Sequence, residues 1–195
     1  MIPRKLSAQD KKKLAEHLLA LQGEDRRLRF GGVVTDLYID NYVEHSFDGK
    51  SKWFGVEDND KIIAACHAAI YEDSAELGCS VDKEYRNHKL AQAMFDRAIT
   101  WLRSMGITDV CMHCLTENGA MRHIARKNYM TVVSEGGESE ANVQVAPATP
   151  FTPIVDAYVD RIAIYDMAFK NQMKAIRTMW DIAPKYKCNE SKSIP

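Results

Sequence analysis

The densest chemistry in the sequence lies between Val81 and Ala91, V-D-K-E-Y-R-N-H-K-L-A, where a strand-like run becomes a cationic loop that opens directly onto a helical pattern. Such a junction aims backbone N–H groups and the positive end of a helix dipole at one point, the arrangement by which proteins hold a pyrophosphate. Arg86 and Lys89 add side-chain charge, with His88 between them. Taken alone, the stretch reads better as a solvated connection with ordinary basic residues. Just upstream, Ser74–Val81 sets Ala75, Leu77, Cys79 and Val81 on one side of a strand and Glu76, Gly78 and Ser80 on the other. Glu76 therefore faces away from the apolar set.

Cys111-Met112-His113-Cys114 raises a metal or redox reading, yet it sits in a strand-like run, where residues three apart point to opposite faces. A structural zinc site also needs a second ligand pair, and no second C-x-x-C exists. Core cysteines are the simpler account, and no metal is expected. His67, His113 and His123 are isolated in sequence and read as structural.

Two signatures within residues 75–130 resemble the GNAT superfamily of N-acetyltransferases. The acetyl-CoA loop pattern of that family, [QR]-x-x-G-x-[GA], reads here Arg86-Asn87-His88-Lys89-Leu90-Ala91, and N-x-x-A-x-x-L-Y-E-K-x-G-F is matched in part by Asn118 to Met130, NGAMRHIARKNYM. LRFG at 28–31, AELGCSV and MHCLTENGAM add a resemblance to bacterial GNAT domains related to protein-lysine acetyltransferases, which together spans roughly residues 3–145. The resemblance implies an α/β (α+β) fold: a mixed, mostly antiparallel central sheet, splayed at the strand before Arg86 and flanked by helices on both faces.

It also implies acetyl-CoA as cosubstrate, bound by the backbone near Cys79, Ser80 and Val81, by the loop Arg86, Asn87, His88, Lys89, Leu90 and Ala91, and by Asn118. Glu76 lies on the strand that in relatives runs beside the thioester, which makes it either the general base or a solvated strand residue. Something must take a proton, because an amine with a reference pKa of ~10.4 is mostly protonated at neutral pH. The acceptor implied is a primary amine on a protein lysine, an N-terminus or a small molecule. Three positions depart from the family pattern. Lys89 and Tyr129 stand where it has glycine, and Ala125 replaces the tyrosine that in many relatives protonates the departing thiolate. These departures leave a rival reading, a catalytically weakened GNAT-fold component of a larger assembly.

The elements that must position these residues follow from hydrophobic period. Residues 8–22 form an amphipathic pattern capped by Ser7, GEDRRLRFGG reads as a charged connector, and Thr35–Asp36 starts a second short helix. Two β-rich runs, KWFGVED and KIIAACHAAIYE, flank a turn at Asn59-Asp60. Strand 74–81, a helix ending at Gly106 and strand ITDVCMHCL make a βαβ unit. Asn118–Lys127 is helical, with short strands expected at 130–134 and 141–145.

The chain divides into a domain at 1–145, a Pro-containing linker at 146–153, an interaction helix at 154–181 and a tail at 182–195. That helix carries a seven-residue repeat, Val155, Ile162, Phe169 and Ile176 beside Tyr158, Tyr165, Gln172 and Met179. Such a seam suits a second copy or a protein partner. With 26 Lys plus Arg against 27 Asp plus Glu in 195 residues, the net charge of −1 removes the electrostatic case for nucleic acid or an anionic membrane. No apolar run reaches the ~18–20 residues that span a bilayer, no secretory signal is legible at the N-terminus, and five scattered cysteines suit a reducing compartment. A cytoplasmic chain is expected.

Overall fold

The computed structural model describes residues 1–182, with side chains through Met179. The expected tail from residue 183, with Cys188, lies outside the described residues. A seven-stranded sheet in the order β1-β2-β3-β4-β5-β7-β6 forms the middle layer. Its strands are β1 (Arg4–Lys5), β2 (Lys52–Asp58), β3 (Lys61–Tyr71), β4 (Ser74–Val81), β5 (Asp109–Leu115), β6 (Thr131–Glu135) and β7 (Glu138–Gln144). Every pairing is antiparallel except β4 with β5.

Local chemistry accounts for the corners. Asn59 (φ 49°) and Asp60 (φ 63°) both take left-handed backbone between β2 and β3, the tight turn whose twist matches the strands it joins. Gly136 and Gly137 do the same between β6 and β7, so that hairpin closes more tightly than the sequence spacing suggested. The parallel pair needs a crossover, which α4 (Leu90–Ser104) supplies. Its buried stripe of Leu90, Met94, Ala98 and Leu102 is the one read from the period, widened by Phe95 and Trp101.

Each sheet face carries its own core. On one, α4 covers Phe54, Cys66, Ala75, Leu77, Val110 and Met112. On the other, α1 (Lys11–Ala20) and α3 (Asp36–His45) cover Trp53, Ile62 and Ala65 with Leu14, Leu18, Ile39 and Val43. Thr35 caps α3 by accepting the Tyr38 N–H at 3.2 Å.

The sequence reading needs one substantive correction here. GEDRRLRFGG is no open connector, because Gly23–Phe30 forms helix α2. Glu24 and Asp25 sit in its first turn, Arg27 and Arg29 in its last, and Gly31 (φ 73°) ends it, so charge and terminator both suit a helix despite its lack of an apolar stripe. The two-residue β1 also went unread, since a pair of basic residues gives no strand period.

The long C-terminal helix α6 (Thr152–Ile182) follows α5 (Gly119–Lys127) and the final hairpin. Its first turns are fastened to the domain. Arg97, only 4% exposed at its side chain, pairs with Asp156 and Asp160, and Lys5 reaches the same two carboxylates at 2.7 Å each. Further along, Lys174 meets Asp60 at 2.9 Å. Tyr158, Tyr165, Phe169 and Met179 nonetheless stay exposed.

Candidate active site

β4 and β5 are paired only from Ser74 to Glu76, against Asp109 to Cys111. Beyond that point β4 continues beside β3 alone and β5 beside β7 alone, so the sheet opens into a V. Helix α2 straddles the opening. Asp25 pairs with Arg86 at 2.8 Å on the β4 side, while Arg27 pairs with Glu117 and the Leu28 carbonyl accepts from Asn118 Nδ2 on the β5 side. Two clefts meet beneath it, sharing Leu28, Arg29, Cys79 and Met121.

The first cleft, about 670 Å³, is lined by Cys79, Ser80, Val81, Arg86, Asn87, Lys89, Leu90, Ala91 and Asn118, with His123 and Lys127 on its far side. Among the described residues, the N–H groups from Asn87 to Gln92 find no acceptor within the protein. Asn87 (φ 65°) and Lys89 (φ 60°) are left-handed, which curls the loop so that its N–H groups converge at the start of α4. Lys89 thus holds the conformation a glycine would take there, at a cost of ~1–2 kcal/mol. The cradle fits a pyrophosphate, offering free N–H donors, a helix N-terminus and two cations.

Expected contributors behave differently within this cleft. His88 is absent from the lining, and its Nδ1 lies 2.9 Å from the Arg86 carbonyl oxygen, fastening the loop from behind. Asn118 has both ends of its amide committed, Oδ1 accepting from Met121 N to cap α5 and Nδ2 donating to Leu28. Ser80 brings its backbone. Its hydroxyl lies 2.9 Å from His17 Nε2, and Asp82 Oδ1 lies 2.9 Å from Nδ1. These are the residue types of a hydrolytic triad, but the Nδ1 contact is not aligned as a hydrogen bond and Ser80 is buried, so the group pins α1 to β4. Ala125 is the buried residue of α5 and packs into the core.

The second cleft, about 410 Å³, lies on the other side of the junction and takes Glu76, His67, Tyr42, Tyr71, His113 and Arg29 into its wall. Glu76 Oε1 stands 3.4 Å from His113 Nδ1, an acid–imidazole pair open to the cleft. Arg29 lies flat against β4, its Nη1 so near Gly78 that a Cβ there would approach to 3.0 Å. Its guanidinium carbon sits 5.1, 5.8 and 5.9 Å from the ring centres of Phe30, Tyr42 and Trp53. Burial opposes the Arg29 charge, but the contacts with Tyr42 outweigh it and hold the pKa above its ordinary value. Burial, reinforced by the Arg29 charge, pushes His67 down to about 3. It stacks on Trp53 and shares a 2.8 Å hydrogen bond with Tyr42 Oη.

Sequence reasoning passed over Arg29, Tyr42 and the cleft-facing roles of His67 and His113. The available signal was an arginine between Leu28 and Phe30 beside a double glycine, and it is faint. Cys111 and Cys114 are both free, with Cys111 pushed up to about 11 by burial and by Glu76. Among the described residues no group of three or more His, Cys, Asp or Glu is placed to hold a metal ion.

The acetyltransferase (GNAT) family model matches residues 17–129. Among solved structures, the chain is similar to the GNAT domain of S. lividans PAT, with TM-score 0.63 and 16% identity over 73% of this chain and 89% of that one. It is also similar to the PaiA N-acetyltransferase of Thermoplasma acidophilum in complex with coenzyme A, with TM-score 0.56 and 18% identity over 73% and 97%. The Escherichia coli ribosomal-protein-S18-alanine N-acetyltransferase gives TM-score 0.59 and 14% identity over 76% and 96%. No curated protein matches the sequence significantly. With the family model spanning 113 of the 195 residues, across both clefts and the V between them, the chain belongs to the GNAT acetyltransferase family.

Proposed function

We propose that the chain transfers acetyl from acetyl-CoA to a primary amine by direct attack in a ternary complex. The observation that carries this reading is the meeting of the two clefts where β4 and β5 part, one offering free N–H groups and the other Glu76. Arg86, Lys89 and the loop N–H groups hold the pyrophosphate, and the backbone of β4 beyond Gly78 orients the pantetheine and polarises the thioester carbonyl. The bound thioester supplies the acetyl group: a carbon–nitrogen bond forms as the carbon–sulfur bond breaks. Glu76 takes the proton shed by the nitrogen, and its contact with His113 gives that proton a path to solvent.

Water protonates the thiolate. Ala125 is buried in the core, and the Tyr85 hydroxyl already donates to Asp58 at 2.8 Å. Mass spectrometry after incubation with acetyl-CoA and candidate amines tests the whole reading: an acetylated amine together with free CoA supports it, and no transfer to any amine refutes it.

The exposed stripe of α6 supports a second element of the proposal, a protein partner or second copy bound through Tyr158, Tyr165, Phe169 and Met179. An apolar stripe of this length is an aggregation liability when left bare. Phe169→Asp is expected to lower the sedimentation mass or abolish partner capture while leaving the CoA response intact, and an unchanged assembly would remove the proposal. Four free thiols among the described residues favour a reducing, cytoplasmic setting, and no described helix is long and apolar enough to cross a membrane.

A further inference from the structure

Two arginines that reach into the interior of this protein are neutralised by carboxylates. Arg97 meets Asp156 and Asp160, and Arg4 meets Asp10 and Glu57. Arg29 has no such partner. Among the described residues no carboxylate approaches it within ion-pair distance, and one Nη donates a long 3.3 Å hydrogen bond to Tyr42 Oη. Partial burial penalises a cation that has no counter-charge, and an arriving carboxylate would supply one. Three aromatic faces and the bare backbone of Gly78 fix its plane, so it is held in place while its charge is unanswered.

A second donor shares the spot. Guanidinium has no lone pair to give, so Tyr42 accepts from Arg29 and sends its own proton to Nδ1 of His67. That network assigns the remaining proton of the neutral imidazole to Nε2, which is buried with no acceptor. His67 is the cross-strand partner of Gly78, the residue Arg29 lies against. Two donors therefore stand at neighbouring positions in the wall of the second cleft.

Resting on the acetyl-transfer reading of that cleft, we propose that the acceptor is a primary amine carrying its own carboxylate a few bonds from the nitrogen, and that Arg29 and His67 hold this carboxylate. Glu76 and Gly78 occupy successive same-face positions of β4, ~7 Å apart along the strand. A zwitterion with its nitrogen at Glu76 and its carboxylate at Arg29 spans that interval, and a planar carboxylate matches the guanidinium fork. The other source of the same chemistry is the oxyanion that develops on the thioester carbonyl. The placement of Tyr42 and His67 favours the acceptor, since both line the second cleft and neither lines the first.

The test compares amino acids with their own carboxamides as acceptors at saturating acetyl-CoA. The acid form is expected to exceed the amide by ~10²-fold in kcat/KM, and Arg29→Gln should erase that preference by raising KM for the acid. Equal use of acid and amide by the wild type overturns the proposal. So does an Arg29→Gln variant that loses kcat equally for both, the signature of an oxyanion role. Calorimetry without CoA, using N-acetyl amino acids against their amides, keeps the wild type informative should the variant fail to fold. Selective binding of the acids supports the carboxylate site even if no amine is acetylated, which would sink only the transfer reading, and indifference there refutes the site.

Discussion

The two clefts flanking the V are built from different materials. The first is chiefly backbone: a left-handed curl and the opening turn of α4 supply donors from six consecutive residues. The second is chiefly side chains, drawn from α2, α3, β3, β4 and β5. A cradle of N–H groups tolerates changes in side chain provided the backbone keeps its path, as Lys89 shows by holding a glycine's conformation. A wall of side chains has no such tolerance, since each donor depends on the one behind it. Chemistry should therefore be easier to destroy in the second cleft, and cosubstrate affinity easier to tune in the first.

The largest effect separating them is expected from Glu76→Gln, which removes a proton acceptor and preserves shape. Turnover should fall by ~10²–10⁴ with CoA affinity unchanged, and unaltered turnover would return Glu76 to a structural role. Next comes the acid sensitivity of the second cleft. His67 titrates at about 3 in the folded chain against an ordinary 6.5, so the unfolded chain binds this proton first as pH falls. Its contribution to stability is complete above pH 6.5 and declines steadily toward pH 3, at up to ~1.4 kcal/mol per pH unit.

Asp10 loses its Arg4-assisted contribution lower, between its ordinary 3.8 and about 2, and Glu57, held down by Lys13 and Arg4, begins to lose its own near its ordinary 4.5, which leaves the window from pH 6.5 to 5 to report on His67. Denaturant melts of His67→Phe should show a flatter pH dependence in that window, and an unchanged slope would refute the assignment. The smallest effect belongs to the first cleft. Asp25 holds Arg86 across the mouth, and Asp25→Asn should tighten CoA binding roughly 3- to 5-fold, the ~0.5–1 kcal/mol of an exposed ion pair. Weaker CoA binding in that variant would show that Asp25 orients Arg86.

What could be read from the sequence follows the same division. The strand-to-helix junction at Val81–Ala91 is contiguous, so its spacing announces the first cleft, and the alternation along Ser74–Val81 places Glu76 away from the core. Period likewise found α3, α4 and the β2–β3 hairpin. Arg29, Tyr42 and His67 meet only because α2 and α3 fold over β3, and nothing local in 28–31, 42 or 67 records that meeting. Helix α2 escapes an apolar-period reading because its signals are charge placement and a terminal glycine. The motif position of Asn118 implies a ligand; it does line the first cleft, and its amide also caps α5 and donates to Leu28, partners that the motif does not announce.

The most direct test of the central claim is a calorimetric titration of CoA into the wild type, Arg86→Glu and Glu76→Gln. One molecule should bind the wild type and Glu76→Gln alike, with Arg86→Glu weaker by ~10²-fold or more, since a charge-assisted contact becomes a repulsion. No binding to the wild type, or undiminished binding to Arg86→Glu, would contradict the assignment of the first cleft to the cosubstrate.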